Sequence, residues 1–540
     1  MENKIGLRFR DKLLPMIIFP AIVGVFTGVL IFLFKVTSSF VMHKSAELYA
    51  MARKEDLINR IVFVIIITCI GFVAAYLLRH AKECRGGGIP TAVASIRGLI
   101  PMKWAQGLFV LFFSSMLTYI AGVPLGNEGP SVQMGAAMGK GVTGIFGKKN
   151  RAWERYNMTG GACAGFAIAT GAPLSGVIFA MEEAHRRFSP TIFMVASVSV
   201  ISGTVTSGVL SGIFGVDTTF LHLSIDNVLP LRYLWVAALI GIVCGICANL
   251  FTKFYHYLRK DTKERVRKSK HLFEFYIVSV FVLAAVCGLC SEDMIGSGHS
   301  LIEKILEGHT TWYFLIFVFL VRAFVMIGAN NHGVTGGLFV PTLAFGAMIS
   351  SIIADVLISI GLIDGQYYAI FIVVGMASFL SSSSRIPLTA LAFAAEVLCI
   401  TGNMLPAVIG VVVAYIVAEL IGKTAFTDTV IEAKTNDAHA GKTPVVVDSH
   451  MRVRQDAFAI GMELRDILWP PTCTVLSVHK NGSAAGHHAG RIAEGDLLHL
   501  HYLTYDPDET LEQLTLLLGE HDDYSARVRE NKGDHLVPLD

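Results

Sequence analysis

Glu128 is the one acid in the stretch Gly126-Asn127-Glu128-Gly129-Pro130, where it stands between glycines with one long apolar run before it and another after it. A carboxylate in so apolar a setting is expensive and points to a task. Glycine lets the backbone leave one helix and approach another group closely, and proline starts a helix because its missing N–H would have no partner there. The stretch therefore opens a helix. The first turn of a helix presents free N–H groups and a partial positive charge, which attract an inorganic anion and a carboxylate alike. An ionised Glu128 competes with an anion for those groups, and a protonated one swings away. Glu128 is thus a candidate gate and proton carrier whose chemistry couples two fluxes.

Two further breaks, Gly86-Gly87-Gly88-Ile89-Pro90 and Gly336-Gly337-Leu338-Phe339-Val340-Pro341, carry glycines before a proline in the same order. Alone, each break reads equally well as an ordinary loop at a membrane surface. Three in a duplicated framework favour helix starts that converge inside a bilayer and hold an anion without a full positive charge. The duplication is visible by counting. Gly135 lies five residues after Pro130 and Gly346 five after Pro341, while Glu182 lies nine after Pro173 and Glu396 nine after Pro387. The first pair of prolines is separated by 211 residues and the second by 214, which implies two related halves with a site near the midplane.

The elements that must position these residues are membrane helices. Of 540 residues, 53% are hydrophobic and 16% charged, against roughly 25% charged in ordinary soluble domains. Apolar runs recur at Leu13–Phe40, Ile61–Leu78, Gly107–Gly126, Leu231–Phe251, Phe275–Leu289 and Tyr313–Gly328, followed by shorter Gly- and Pro-interrupted runs to Ile421. The fold class expected is an all-α polytopic membrane protein. No cleavable signal peptide is expected, because the first run is too long for one. Lys4, Arg8, Arg10 and Lys12, and the basic block Arg259–Lys270, mark cytoplasmic segments, whereas Val216–Pro230 has acids without Lys or Arg and is expected outside. A net charge of +2 suggests neither nucleic acid nor an acidic partner. The C-x-x-C pairs Cys244/Cys247 and Cys287/Cys290 lie in apolar helical runs and read as packing residues rather than metal ligands.

After about Thr435 the composition becomes that of a soluble domain. Residues 436–451 read as a polar linker and 452–540 as a small α+β domain with a tail. Its expected elements are a strand at Ala457–Met462, a short helix at Glu463–Leu468, strands in "CTVLSVHKNG" and "GDLLHLHYLT", and an amphipathic helix in "DPDETLEQLTLLLGE". His499 and His501 share one strand face and His487/His488 sit in a Gly/Ala loop; a solvated face and loop is the simpler reading beside metal binding.

The three breaks, with "APLSGVIFAMEE" between them, resemble the CLC family of chloride channels and proton-coupled chloride exchangers, over roughly Lys12 to Lys434. The resemblance implies a homodimer with one pathway per subunit, built from tilted and partly re-entrant helices in two inverted halves (residues 1–435). It implies that Glu128 is the external gating glutamate and that backbone N–H groups at Gly87, Gly88 and Ile89, around Asn127 and Gly129, and at Leu338, Phe339 and Val340 hold chloride. Glu183, the second acid of "MEE", falls where proton-coupled members keep an internal proton-transfer glutamate, which favours exchange over passive conduction. The alternative is an acid at a cytoplasm-facing helix end. Three positions depart from the family. Gly87 replaces a serine and Phe426 a tyrosine whose hydroxyls face the central anion, and Asn127 replaces an arginine. Each lost hydrogen bond to a charged group is worth about 1.5–3 kcal/mol, so a weaker central site and another anion such as nitrate come into view.

Val453–Gly519 resembles the TrkA-C domain, a dimerising module of potassium-transport regulatory subunits, on "GMELRDILWPPTCTVLSVHKNG" and "GRIAEGDLLHLHYL". That resemblance implies either a small anionic regulator, such as cyclic di-AMP, or a dimer-stabilising domain without a ligand. The resulting expectation is a plasma-membrane chloride/proton antiporter with both termini cytoplasmic, lipid and a second copy as partners, and no resident cofactor or metal. A passive anion channel on the same fold and a ligand sensor with a degraded pore are the alternatives. No nucleophile and base pair suggests an enzyme.

Overall fold

The protein is described by a computed structural model over residues 14–530, apart from residues 87, 146–147, 218, 222, 224, 226, 269–271, 309, 423, 456, 481–482, 486–489 and 520–524. The first half of the helical part runs α1 (Leu14–Ala52), α2 (Leu57–His80), α3 (Ile89–Ile96), α4 (Trp104–Ile120), α5 (Glu128–Ile145), α6 (Glu154–Thr170), α7 (Pro173–Phe179) and α8 (Pro190–Phe214). The second half runs α9 (Leu234–Lys268), α10 (Leu272–Cys290), α11 (His299–Leu306), α12 (Trp312–His332), α13 (Phe339–Ser359), α14 (Tyr368–Ser384), α15 (Pro387–Glu396), α16 (Met404–Ile421) and α17 (Phe426–Ala438). Local chemistry sets many of the boundaries. Asp56 caps α2 by accepting from the Asn59 N–H at 3.0 Å, and Ser189 with Pro190 opens α8.

Among the described residues, nine helices are long and apolar enough to cross a membrane. Eight of them follow the apolar runs of the sequence. The ninth, α8, was not singled out there, because Ser, Thr and Gly dilute its apolar residues; their small side chains let it pack on α1 and α6.

The duplication is visible as a repeated crossing. A Cβ added to Gly135 on α5 would stand 2.1 Å from the Gly161 carbonyl oxygen on α6, and one added to Gly346 on α13 would stand 2.2 Å from that of Gly375 on α14. Each half thus contains such a helix pair in backbone contact, at the two glycines that the spacing had matched.

The C-terminal part is a five-stranded antiparallel sheet in the order β3-β2-β4-β1-β5, from β1 (Val445–Arg452), β2 (Thr474–Lys480), β3 (Ser483–Ala485), β4 (Leu497–Thr504) and β5 (Ser525–Glu530). The helix α18 (Pro507–Leu518), capped by Asp506, covers one face, where Leu514, Leu517 and Leu518 pack on Met451, Leu498 and Tyr502. Three expectations need correction. The stretch read as a linker, 436–451, holds the end of α17 and most of β1, so the true connection is residues 439–444. Ala457–Met462 is a series of turns closed by Ala457 N to Arg454 O, Ile460 N to Ala457 O and Met462 N to Ala459 O; alternate burial of Ala457 and Ala459 imitates a strand. Glu463–Leu468 forms only a 3-10 turn over Leu464–Asp466, because Pro470 and Pro471 follow too closely for a longer helix.

Candidate functional site

The three glycine breaks meet. Gly126 donates its N–H to the Gly337 carbonyl at 2.8 Å, and Gly337 donates back at 2.6 Å, a two-residue antiparallel bridge between the starts of α5 and α13. A Cβ on Gly129 would fall 2.7 Å from Gly337 Cα and 3.0 Å from Gly88 Cα. Gly88 itself holds φ +113°, where side chains are strained. The N-termini of α3, α5 and α13 therefore converge backbone to backbone, which the loop alternative does not produce.

Glu128 sits at this junction, fully buried. Its carboxylate folds back over Gly126, where a Cβ would lie 2.3 Å from Oε2. The N–H groups beside it are its own and that of Val340, and neither carboxylate oxygen completes a hydrogen bond of standard geometry. The group thus rests in a cradle of first-turn N–H groups that have no partner within their helices. Phe339 and Val340 lie in the first turn of α13 and Leu338 is its cap. The N–H of Gly88 is engaged by Gln133 Oε1 at 2.9 Å, so Gly88 contributes close approach rather than a donor, in contrast to the expectation for it. Ile89 begins α3 immediately after it. Gly87 lies outside the described residues.

Asn127 donates to Ser38 Oγ at 2.9 Å, and Ser38 donates to the Lys35 carbonyl at 3.0 Å. Lys35, with Nζ 3.2 Å from the Ile168 carbonyl, is near enough to Glu128 for their charges to act on each other. A cation from α1 thus stands close to the second break. Phe426 opens α17, and its ring meets Phe251 at a tilt and Tyr255 edge-on, with centroids 5.1 and 5.0 Å away.

From the third break an aromatic column runs onward. Phe339 meets Phe166 edge-on at 5.2 Å, and Phe166 stacks on Phe179 at 5.4 Å, at the end of α7. There the chain makes a π-turn over Ala180–Ala184 that carries Glu182 and Glu183. The two acids diverge. Glu182 accepts from the N–H groups of Leu388 and Thr389 and from the Thr389 hydroxyl, at 2.8, 2.7 and 2.6 Å. Glu183 is 5% exposed, with its carboxyl beside the Thr427 hydroxyl and within the influence of Asp428, Arg186 and Arg97. Arg97 holds the main chain beneath it, donating to the Glu183 and Ala184 carbonyls at 2.8 and 2.9 Å. Glu183 thus lies at a helix end, as its alternative reading has it, but is buried there.

The model of the voltage gated chloride channel family matches residues 70–419. The chain belongs to this CLC family. It is 29% identical over 416 residues to the H(+)/Cl(-) exchange transporter ClcA of Vibrio parahaemolyticus serotype O3:K6, covering 75% of this chain and 87% of that one. It is 27% identical over 433 residues to ClcA of Klebsiella pneumoniae strain 342, covering 78% and 90%. A slow cyanobacterial Cl-/H+ antiporter shares its fold with a TM-score of 0.70 at 23% identity, over 78% of this chain and 98% of that one. A CLC-type fluoride/proton antiporter does so at 0.64 and 18%, over 76% and 96%.

Within this CLC framework, Gln133, Lys35 and Arg97 escaped the sequence reading. Gln133 lies one turn after Pro130 and had a local signal as a polar residue in an apolar helix. Lys35 is a single cation inside the first apolar run, a type of position that marks function in membrane segments. Arg97 had no such signal, since its partners, two carbonyls and the Asp428 carboxylate at 3.9 Å, come from elsewhere in the chain. In the sheet, His501 pairs with Asp448 at 2.6 Å and His499 stacks on His450 at 4.3 Å, so that strand face is engaged across to β1. His487 and His488 lie outside the described residues.

Proposed function

We propose that the protein exchanges chloride for protons across the plasma membrane, with Glu128 as gate and proton carrier and Glu183 as the proton-transfer acid on the inner side. The observation that carries this reading is the Glu128 carboxylate lying at the junction of three helix starts, where an anion would otherwise bind. Protonation weakens its hold on the N–H cradle and frees the place for chloride, so the two ions take turns. The aromatic column separates this place from Glu183, consistent with a proton route that leaves the anion path. The exchange activity named for the ClcA relatives supports the same reading.

The functional unit is a homodimer, each subunit with its own pathway, and the N- and C-terminal parts face the cytoplasm. The sheet domain acts as a TrkA-C-like regulatory module that takes a small anionic regulator. Phe426, which carries no hydroxyl, favours as a second reading weakly coupled or passive flux of chloride, nitrate or another small anion.

The test is proton movement in liposomes containing purified protein, driven by a chloride gradient at clamped potential, beside Glu128→Gln. Uphill proton movement that vanishes in the variant supports exchange. Anion flux without proton movement in the unaltered protein overturns it in favour of the second reading.

A further inference from the structure

Four consecutive carbonyls of the sheet domain are taken by side chains of the helical part. Tyr156 donates to Asp466 O at 2.5 Å, Arg187 to Ile467 O at 2.8 Å, and Arg155 to Leu468 O and Trp469 O at 3.0 and 2.7 Å. The Tyr156 hydroxyl also accepts from the Leu468 N–H at 3.1 Å, and the Ser189 hydroxyl donates to Asp466 Oδ1 at 2.7 Å. The Leu468 side chain belongs to the same apolar core as the membrane helices rather than to the core of the sheet. So complete a use of one loop's backbone is more than docking needs, because one or two such bonds with the Trp153–Phe458 contact at 5.0 Å would already seat the domain.

The other half of the Arg155 guanidinium explains the investment. Nε donates to Ile96 O at 2.8 Å and Nη2 to Arg97 O at 2.9 Å. These carbonyls end α3, the eight-residue helix whose start meets Gly129 at the anion junction. Arg97, the residue so held, is also the one that grips the Glu183 and Ala184 carbonyls. One planar fork with fixed donor directions therefore ties the loop 466–469 to both ends of the pathway.

We propose that Arg155 is a positioning residue through which the loop 466–469 sets α3 and the main chain under Glu183, so that the sheet domain is part of the transport machinery. This rests on the exchange reading above. A displacement of the loop, by a ligand of the sheet domain or by a change in its pairing, changes the rate of transport without any contact to the ions.

The experiment compares the full-length protein in liposomes with Arg155→Lys, which keeps the charge but not the fork, Tyr156→Phe, which removes one hydroxyl from the same clamp, and Glu512→Gln. Glu512 forms an exposed pair with Arg151 at 2.6 Å across the same interface and touches neither α3 nor the loop. Misplacement of a working group by an ångström costs up to about a hundredfold, so Arg155→Lys is expected to slow turnover at least about tenfold. Tyr156→Phe changes it in the same direction and less. In both, the dependence of rate on inner pH shifts, since Glu183 moves against Arg97, Arg186 and Asp428, while Glu512→Gln leaves rate and profile unchanged. Wild-type rate and pH profile in Arg155→Lys with a lowered thermal midpoint would show that the loop only fastens the domain, and overturn the proposal. If Arg155→Lys does not fold, Tyr156→Phe decides by the same criterion. Absence of proton movement in the unaltered protein sinks the exchange reading alone; the variants are then compared on anion flux, where an unchanged rate overturns this proposal too.

Discussion

Glu182 and Glu396 each cap a helix that belongs to the other half of the chain. Glu182, at the end of the first-half motif, holds the opening N–H groups of α15, and Glu396, at the end of α15, holds those of Leu174 and Ser175 on α7 at 2.7 and 2.8 Å. The exchange is reciprocal down to the hydroxyls, Ser175 to Glu396 and Thr389 to Glu182. It makes α7 and α15 an antiparallel pair locked at both ends by charge-assisted bonds.

Substituting either of these acids by alanine leaves three donors without their acceptor. Each of Glu182→Ala and Glu396→Ala is expected to lower stability by about 2 kcal/mol. Thermal unfolding of the purified protein in detergent measures this, and an unchanged midpoint in both variants would contradict the capping role.

The adjacent acid behaves in the opposite sense. Glu183→Gln keeps the volume and the main-chain grip of Arg97 but removes the titrating group. Expected is an unfolding midpoint near that of the unaltered protein with proton movement in liposomes lost, whereas Glu182→Gln retains proton movement. Proton transport surviving in Glu183→Gln would remove this residue from the pathway.

Glu128→Ala vacates the cradle that its carboxylate occupies. The N–H groups beside it, including that of Val340, then face an anion instead. A bond to a charged group is worth about 1.5–3 kcal/mol, so chloride binding by calorimetry is expected to tighten by about tenfold or more while proton movement disappears. Equal affinity in the variant would mean that carboxylate and anion do not share the place.

Gly129→Ala inserts a methyl group 2.7 Å from the Gly337 backbone and 3.0 Å from that of Gly88. Neither neighbour is a side chain able to turn aside. Overpacking of this kind costs about 1–3 kcal/mol or more, and the helix starts are pushed apart, so both anion binding and flux are expected to fall sharply. A Gly402→Ala control, where nothing lies within 4 Å, leaves both unchanged.

Much of the glycine junction was legible because its chemistry is local. Gly126, Gly129 and Pro130 carry their own reason for ending one helix and starting another, and so do Gly88 with Pro90 and Gly337 with Pro341. Counting from proline to glycine and from proline to glutamate found both halves of the duplication. What the counting did not reveal was what Glu182 and Glu396 do, because their partners lie more than 200 residues away, at Leu388 and Leu174. Arg155 and Tyr156 were hidden for the same reason. β1 was mistaken for a linker since its residues follow Pro444 and a polar stretch, and only pairing with β4 and β5 on either side makes it a central strand. The role expected of Gly88 failed on a side chain, Gln133, that reaches it from another helix.

The meeting of Gly88, Gly129 and Gly337 has an evolutionary corollary. Where three main chains touch, there is no side chain for substitution to alter, and any replacement is felt first as a defect of folding. Preference among anions must then drift through residues standing around the glycines, and Asn127, tied to α1 by Ser38, is one such position.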